Sequence, residues 1–132
     1  MSLPGLFRSR NLHPRPASLQ ARFEAWRALP QPSGAQAIHE SRIVVLDVET
    51  SGLNLKKDTL IAIGAVAIER GRIMLDDAFD IVLRQEQISS KSNILIHGIA
   101  GGKQRSGIDP AEALMQILEY IGSDPLLAFH VA

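Results

Sequence analysis

The chain predicts a mixed α/β fold: a meander of three antiparallel strands, then a helix and a strand parallel to a neighbour. Three observations carry that expectation. Arg42–Thr50 and Thr59–Glu69 are apolar on both faces, as internal strands are, and Arg70-Gly71 turns the second of them into a third. Asp109-Pro110 opens a helix whose Leu114, Ile117, Leu118 and Ile121 form one apolar stripe. Leu126–Ala132 follows as a strand-like run, and a strand–helix–strand order calls for a right-handed parallel crossover.

Composition bounds the rest. At 132 residues, 45% apolar and 21% charged, the chain is long enough and apolar enough for one domain with a real core. It has no cysteine, which excludes disulfides, thiolate metal sites and cysteine nucleophiles. Net charge is zero, but residues 1–40 carry five arginines against two glutamates, 5 − 2 = +3, so the remainder sums to −3. An acidic body suits cation binding better than simple attraction to nucleic acid. The N-terminus lacks the apolar core of a signal peptide and no run is long enough to span a bilayer, so no membrane contact and a cytoplasmic location are expected.

Residues 1–17 read as a loose leader punctuated by Pro4, Gly5, Pro14 and Pro16. Ser18 is placed to cap a short helix, Leu19–Leu29, with Leu19, Phe23 and Trp26 at helical spacing. That stripe is expected to dock on the chain's own body or on a partner, with the arm's arginines solvated. Pro30–Gly34 is a linker. The division is therefore an N-terminal arm, 1–40, with a short amphipathic helix and linker, and a main domain, 41–132.

The main domain opens on Arg42–Thr50, which ends in Asp47 and Glu49. Side chains alternate along a strand, so both acids share a face. Two readings fit: ligands of a divalent ion such as Mg²⁺ or Mn²⁺, for which oxygen donors are suited, or two solvated acids beside the turn at Thr50-Ser51-Gly52. Lys56 and Lys57 read as a solvated loop, and Gly64 as a close approach of a neighbouring backbone or a bulge. Asp76, Asp77 and Asp80 lie on the third strand and read as edge charges rather than ligands. Gln85–Gly107 lacks clear periodicity, and a lone histidine there, His97, is ordinarily a structural hydrogen-bonding residue. The helix that follows takes Asp109 as its cap and Glu112 as the far side of a capping-box-like start, and Gly122 ends it.

Several of these stretches together resemble a known family. Val45-Leu46-Asp47-Val48-Glu49-Thr50-Ser51-Gly52-Leu53 is similar to the first exonuclease motif of the DnaQ-like (DEDD) 3′–5′ exonucleases, which include the proofreading epsilon subunit of bacterial DNA polymerase III. Asp58–Val66 resembles that family's second strand, Ile96-His97-Gly98-Ile99 its His-Gly-Ile/Val segment, and Leu126–Ala132 the approach to its second motif. The resemblance covers about residues 42–132. It implies a ribonuclease H-like mixed sheet, two Mg²⁺ or Mn²⁺ ions, Asp47 and Glu49 as catalytic metal ligands with Asp47 bridging both ions, and a single-stranded DNA 3′ end, or RNA, as substrate. It further implies that Thr50 meets the terminal nucleotide, that Leu53 wedges against its base, that His97 lines the nucleotide pocket, and that a DNA polymerase subunit is a partner. Phe129-His130 depart from the His-Asn of many relatives, the Phe-Asp of the second motif is expected where the chain stops, and the third motif lies beyond Ala132. The expectation is a fold incomplete at its C-terminus, with two of four acids present and little nuclease activity in this chain alone.

Two other classes stay open. A haloacid-dehalogenase-type phosphatase also starts with a strand ending in paired acids, D-x-D-x-T, but its second acid is Asp and its strands alternate with helices. A non-catalytic exonuclease-like module, binding nucleic acid or a polymerase, would use the Leu19–Leu29 helix as its contact.

Overall fold

The structure, a computed structural model, describes residues 16–52, 54 and 56–129. Four strands, β1 (Arg42–Thr50), β2 (Leu60–Glu69), β3 (Arg72–Val82) and β4 (Leu126–Ala128), form one sheet in the order β3-β2-β1-β4. The β1·β2 and β2·β3 pairs are antiparallel, and β4 runs parallel to β1 with Val44 opposite Leu126 and Leu46 opposite Ala128. The meander and the parallel return are those predicted.

One helix builds the core. α4 (Pro110–Ile121) crosses from the β3 side of the sheet to β4, and its Ala113 and Ile117 close on Val44, Ile63, Ala65, Ile81 and Leu83. Its start is fixed as read: Asp109 accepts from Ala111 N at 3.0 Å and Glu112 N at 3.4 Å, and Pro110 occupies a position that needs no N–H partner. Glu112 does not complete a capping box; its carboxylate accepts from Gln116 and Arg22 instead. The expected cover on both faces of β1 is met on one only. Val44 is fully buried, whereas Asp47 is exposed and Val48, near the end of the strand, is 43% exposed.

The third strand is not a plain hairpin partner. Ala67 pairs with Met74, but the next residue, Val66, pairs with Ala78, so Leu75, Asp76 and Asp77 bulge out. The bulge is held by Arg42, whose Nε donates to Asp77 at 2.8 Å, and by Tyr120, whose hydroxyl donates to Asp77 O at 2.7 Å. Arg42 also donates to Asp124 at 2.6 Å and stacks over the Tyr120 ring at 4.8 Å. Asp77 is thus an ion-pair partner rather than a simple edge charge.

Gln85–Gly107 is more ordered than its periodicity suggests. It holds two short helices, α2 (Lys91–His97) and α3 (Gly101–Arg105). Ser90 caps α2 by accepting from Asn93 N, and Gly98 ends it with φ 69°, a left-handed conformation that favours glycine. A buried amide bracket ties this segment to the sheet. Gln104, 0% exposed, accepts from Ser89 N and donates to Ser89 Oγ and Ile99 O. Gln85 N donates to Gln104 O, and its side chain donates to Leu60 O at 2.8 Å.

α1 (Ala17–Arg27) begins one residue before Ser18, and no side chain caps it. Its half-buried Leu19, Phe23 and Trp26 face the body, and α1 packs against α4. Arg22 is not solvated: it donates to both oxygens of Glu112 and, through Nε and Nη2, to both oxygens of Glu119. Trp26 Nε1 donates to Gly122 O at 2.8 Å, so α1 is fastened at its middle by Arg22 and near its C-terminal end by Trp26.

Candidate active site

β1 ends as the alternation requires. Asp47 and Glu49 lie on the face away from α4, in register with Gly64 and Ala62 of β2. Gly64 in turn pairs with Asp80 of β3, so a row Asp47–Gly64–Asp80 crosses three strands on one face. At Gly64 an added Cβ would meet nothing within 4 Å. This glycine marks no close approach of backbone; it leaves the floor open between two carboxylates. Above that floor lies a cavity of about 340 Å³ lined by Asp47, Glu49, Asp80, His97 and Lys103, among others. Asp80, expected as an edge charge, faces this cavity because the bulge shifts it into register with Gly64.

α2 fixes one wall through residues a turn apart. His97 Nδ1 contacts Glu49 Oε2. Asn93, four residues earlier and 9% exposed, donates from its amide to Thr50 O at 2.9 Å. One helical face thereby grips two consecutive residues of β1, just where its register with β2 shifts. His97 makes a polar contact within the fold and lines the cavity.

The turn after β1 is tightly made. Thr50 Oγ1 donates to Gly52 O at 2.7 Å, and Asp58 accepts from Ser51 Oγ at 2.9 Å and Asn54 N at 2.7 Å. A Cβ on Gly52 would lie 2.5 Å from Asp58 Oδ2, so a side chain there would have to push the Asp58 carboxylate off its bonds to Ser51 and Asn54. Thr50 follows Glu49 but is not among the residues that line the cavity, and its hydroxyl and carbonyl are both engaged within the fold. Leu53 lies outside the described residues.

The donor chemistry fits a hard divalent cation: two carboxylates on one strand face at the edge of a water-accessible cavity. Among the described residues no group of three or more His, Asp and Glu side chains is disposed to hold a metal. Such a strand end, with an imidazole on one carboxylate, can bind a cation and orient a phosphate ester; these are the elements of phosphodiester hydrolysis.

The model of the RNase T exonuclease family matches residues 44–132. The chain belongs to this exonuclease family. The match spans every cavity residue named above, and it leaves α1 outside. Among curated relatives of this exonuclease-family chain are the PolC-type DNA polymerases III of Oceanobacillus iheyensis and Bacillus subtilis, each 30% identical over 95 residues. That covers 72% of this chain but only 6% of either polymerase. In fold it is similar to the zinc-bound complex of E. coli exonuclease I with single-stranded DNA, with TM-score 0.56 and 16% identity over 67% of this chain and 20% of that one. The DnaQ-like resemblance and the ribonuclease H-like mixed sheet both stand. Of the charged cavity residues, the sequence marks Asp80 only as an edge charge and does not single out Lys103. Asp80 needed the bulge to be known, and no local pattern marks Lys103.

Proposed function

We propose that this chain is the catalytic portion of a metal-dependent 3′–5′ exonuclease acting on single-stranded DNA. The observation that carries it is the placing of Asp47 and Glu49 on one strand face, with His97 on Glu49, within the stretch that the exonuclease family model matches. Asp47 and Glu49 would hold the divalent cation, Mg²⁺ or Mn²⁺; two such ions supply an activated water and charge stabilisation at the leaving oxygen. In the reaction, water adds to the terminal phosphorus, the P–O3′ bond breaks, and a nucleoside 5′-monophosphate leaves.

The chain's own side chains have separate tasks. His97 steadies the Glu49 carboxylate against rotation. By the family resemblance, Thr50 would meet the terminal nucleotide and Leu53 its base. Residues 41–132 form the exonuclease unit and residues 1–40 an arm; the family match beginning at 44 supports that division. The polymerase III relatives support a replicative, proofreading context like that of an epsilon subunit, with a polymerase subunit as partner and the cytoplasm as location. No helix among the described residues is long and apolar enough to cross a membrane.

The test is mononucleotide release from a 3′-labelled strand by the gene's full-length product, with Mn²⁺, Mg²⁺ or chelator. Asp47→Ala and Glu49→Ala are each expected to lower the rate by more than about 100-fold, as loss of a metal ligand does where loss of a mere outer partner costs about 10–100-fold. Undiminished release by both variants would exclude this site. A 3′-labelled RNA in parallel decides the sugar preference. The 132-residue chain alone is expected to release nucleotides far more slowly, because two carboxylates hold one ion weakly.

A further inference from the structure

The cavity presents an electrostatic problem to its own substrate. Three carboxylates, Asp47, Glu49 and Asp80, line it, and a nucleic-acid strand carries a negative charge on every phosphate. A cation bound by Asp47 and Glu49 answers only the charge nearest the cut bond. The phosphates behind it need a second positive group. Among the described residues, the cavity offers one permanent cation, Lys103.

Lys103 is built for presentation rather than for structure. Its side chain is exposed, and no described carboxylate pairs with it. Arg22, Arg42 and Arg84 are committed to carboxylates of the fold, and other surface cations such as Lys91 and Arg105 lie off the cavity lining; Lys103 combines exposure with a place on that lining. The helix that carries Lys103 is nevertheless pinned. Its neighbour Gln104 is fully buried with three side-chain hydrogen bonds, to Ser89 N, Ser89 Oγ and Ile99 O. Gly101 packs so closely that an added Cβ would lie 3.0 Å from Ile88 Cδ1. A short helix fixed on one side by a buried amide and by a glycine contact thus holds an unspent ammonium at the mouth of an acidic cavity. Holding the backbone in advance lowers the ordering cost when a ligand arrives.

We propose that Lys103 is a substrate-binding residue that contacts a backbone phosphate of the strand behind its 3′-terminal nucleotide. This rests on the exonuclease reading and deepens it. A lysine acts on phosphate as a point charge, so the contact is independent of base sequence. It is made equally in ground and transition states, and removing it should raise KM while leaving kcat nearly unchanged.

The experiment is equilibrium binding of a fluorescent oligo-dT to the gene's full-length product in chelator, over a range of salt, followed by steady-state release in Mn²⁺. Variants are Lys103→Ala, Lys103→Arg and, as a charge-matched control, Arg72→Ala. Arg72 sits at the hairpin end of β3, opposite Glu69, while Asp80 is opposite Gly64, five residues and roughly 17 Å further along β2. Lys103→Ala should weaken binding about 5- to 10-fold at low salt and reduce the slope of log K against log salt by about 0.7, the value for one phosphate contact on a single strand. KM should rise by a similar factor, Lys103→Arg should restore most of both, and Arg72→Ala should change neither. An unchanged slope and KM in Lys103→Ala, or an equal change in Arg72→Ala, overturns the proposal while leaving the nuclease intact. No binding and no release by the unaltered protein would overturn the exonuclease reading and this inference with it.

Discussion

Gly64 decides what the floor of the cavity can hold. It stands between Asp47 and Asp80 with open space where a side chain would go. An added Cβ there meets nothing within 4 Å and valine suits a strand, so Gly64→Val should melt at or above the temperature of the unaltered protein. The same side chain would stand between the carboxylates, so nucleotide release should fall by at least about 10-fold, a modest figure beside the ~100-fold that a 1 Å misplacement can cost. A melting curve and a release assay on one preparation check both halves; a destabilised but fully active variant would contradict this account of the floor. At this scale the sequence was only partly legible. Asp47 and Glu49 follow from strand alternation alone, because that period survives any tertiary context. Asp80 does not. A plain hairpin from Glu69 opposite Arg72 would set Asp77 against Gly64, and only the bulge of Leu75, Asp76 and Asp77 brings Asp80 there instead.

The elements that matter most are the shortest. α2 has seven residues and α3 five, too few for periodicity to show, and the caps of α2 at Ser90 and Gly98 emerge only in the structure. Their position depends on buried amides whose partners are distant in sequence, which no local pattern reports. Asn93→Ala removes the bond to Thr50 O and frees α2 from the end of β1. It should cost about 1–2 kcal/mol for the unpaired carbonyl and lower nucleotide release about 10-fold, through the lost alignment of His97 with Glu49. Gln104→Leu leaves Ser89 N and Ile99 O without their partner and should cost about 2–4 kcal/mol on the same reasoning. Urea unfolding and steady-state rates measured together separate these effects; Asn93→Ala with unchanged rates would show that α2 needs no such tether. The long elements were readable for the opposite reason. β1, β2 and α4 repeat their pattern over nine, ten and twelve residues, and α4 announces its start with Asp109-Pro110.

At the scale of the molecule, arginine–carboxylate clusters hold together what the core does not. Arg42 joins the start of β1, the β3 bulge and the segment after α4, and Arg22 joins α1 to α4. The Arg42 guanidinium holds the Asp77 carboxyl below the usual carboxylate range, and Arg22 does the same for Glu112 and Glu119. Each of these acids is ionised more readily folded than unfolded. Their stabilisation is therefore fully present above about pH 5, past the ordinary values of both glutamates, and is lost as pH falls through the lowered folded-state values. Arg42→Met should cost about 1–2 kcal/mol at neutral pH, since its partners are partly exposed, and that cost should shrink below pH 4. Melting temperatures of both proteins from pH 7 to pH 2.5 test this; a constant gap across the range would contradict it. The fastening of α1 was half legible. Its apolar spacing pointed to docking, but arginine pairing with acids ninety or more positions away leaves no trace in local sequence.

The central claim is that the end of β1 makes this chain part of an enzyme that removes nucleotides from the 3′ end. The direct measurement is a time course on one single strand, labelled at its 3′ end in one tube and its 5′ end in the other, with Mn²⁺ and the gene's full-length product. The account predicts that the 3′ label appears at once as a nucleoside 5′-monophosphate. It predicts that the 5′ label descends a ladder one nucleotide at a time, and that chelator or Asp47→Ala stops both. Internal fragments from either label, or a ladder that persists in the Asp47→Ala protein, would contradict it.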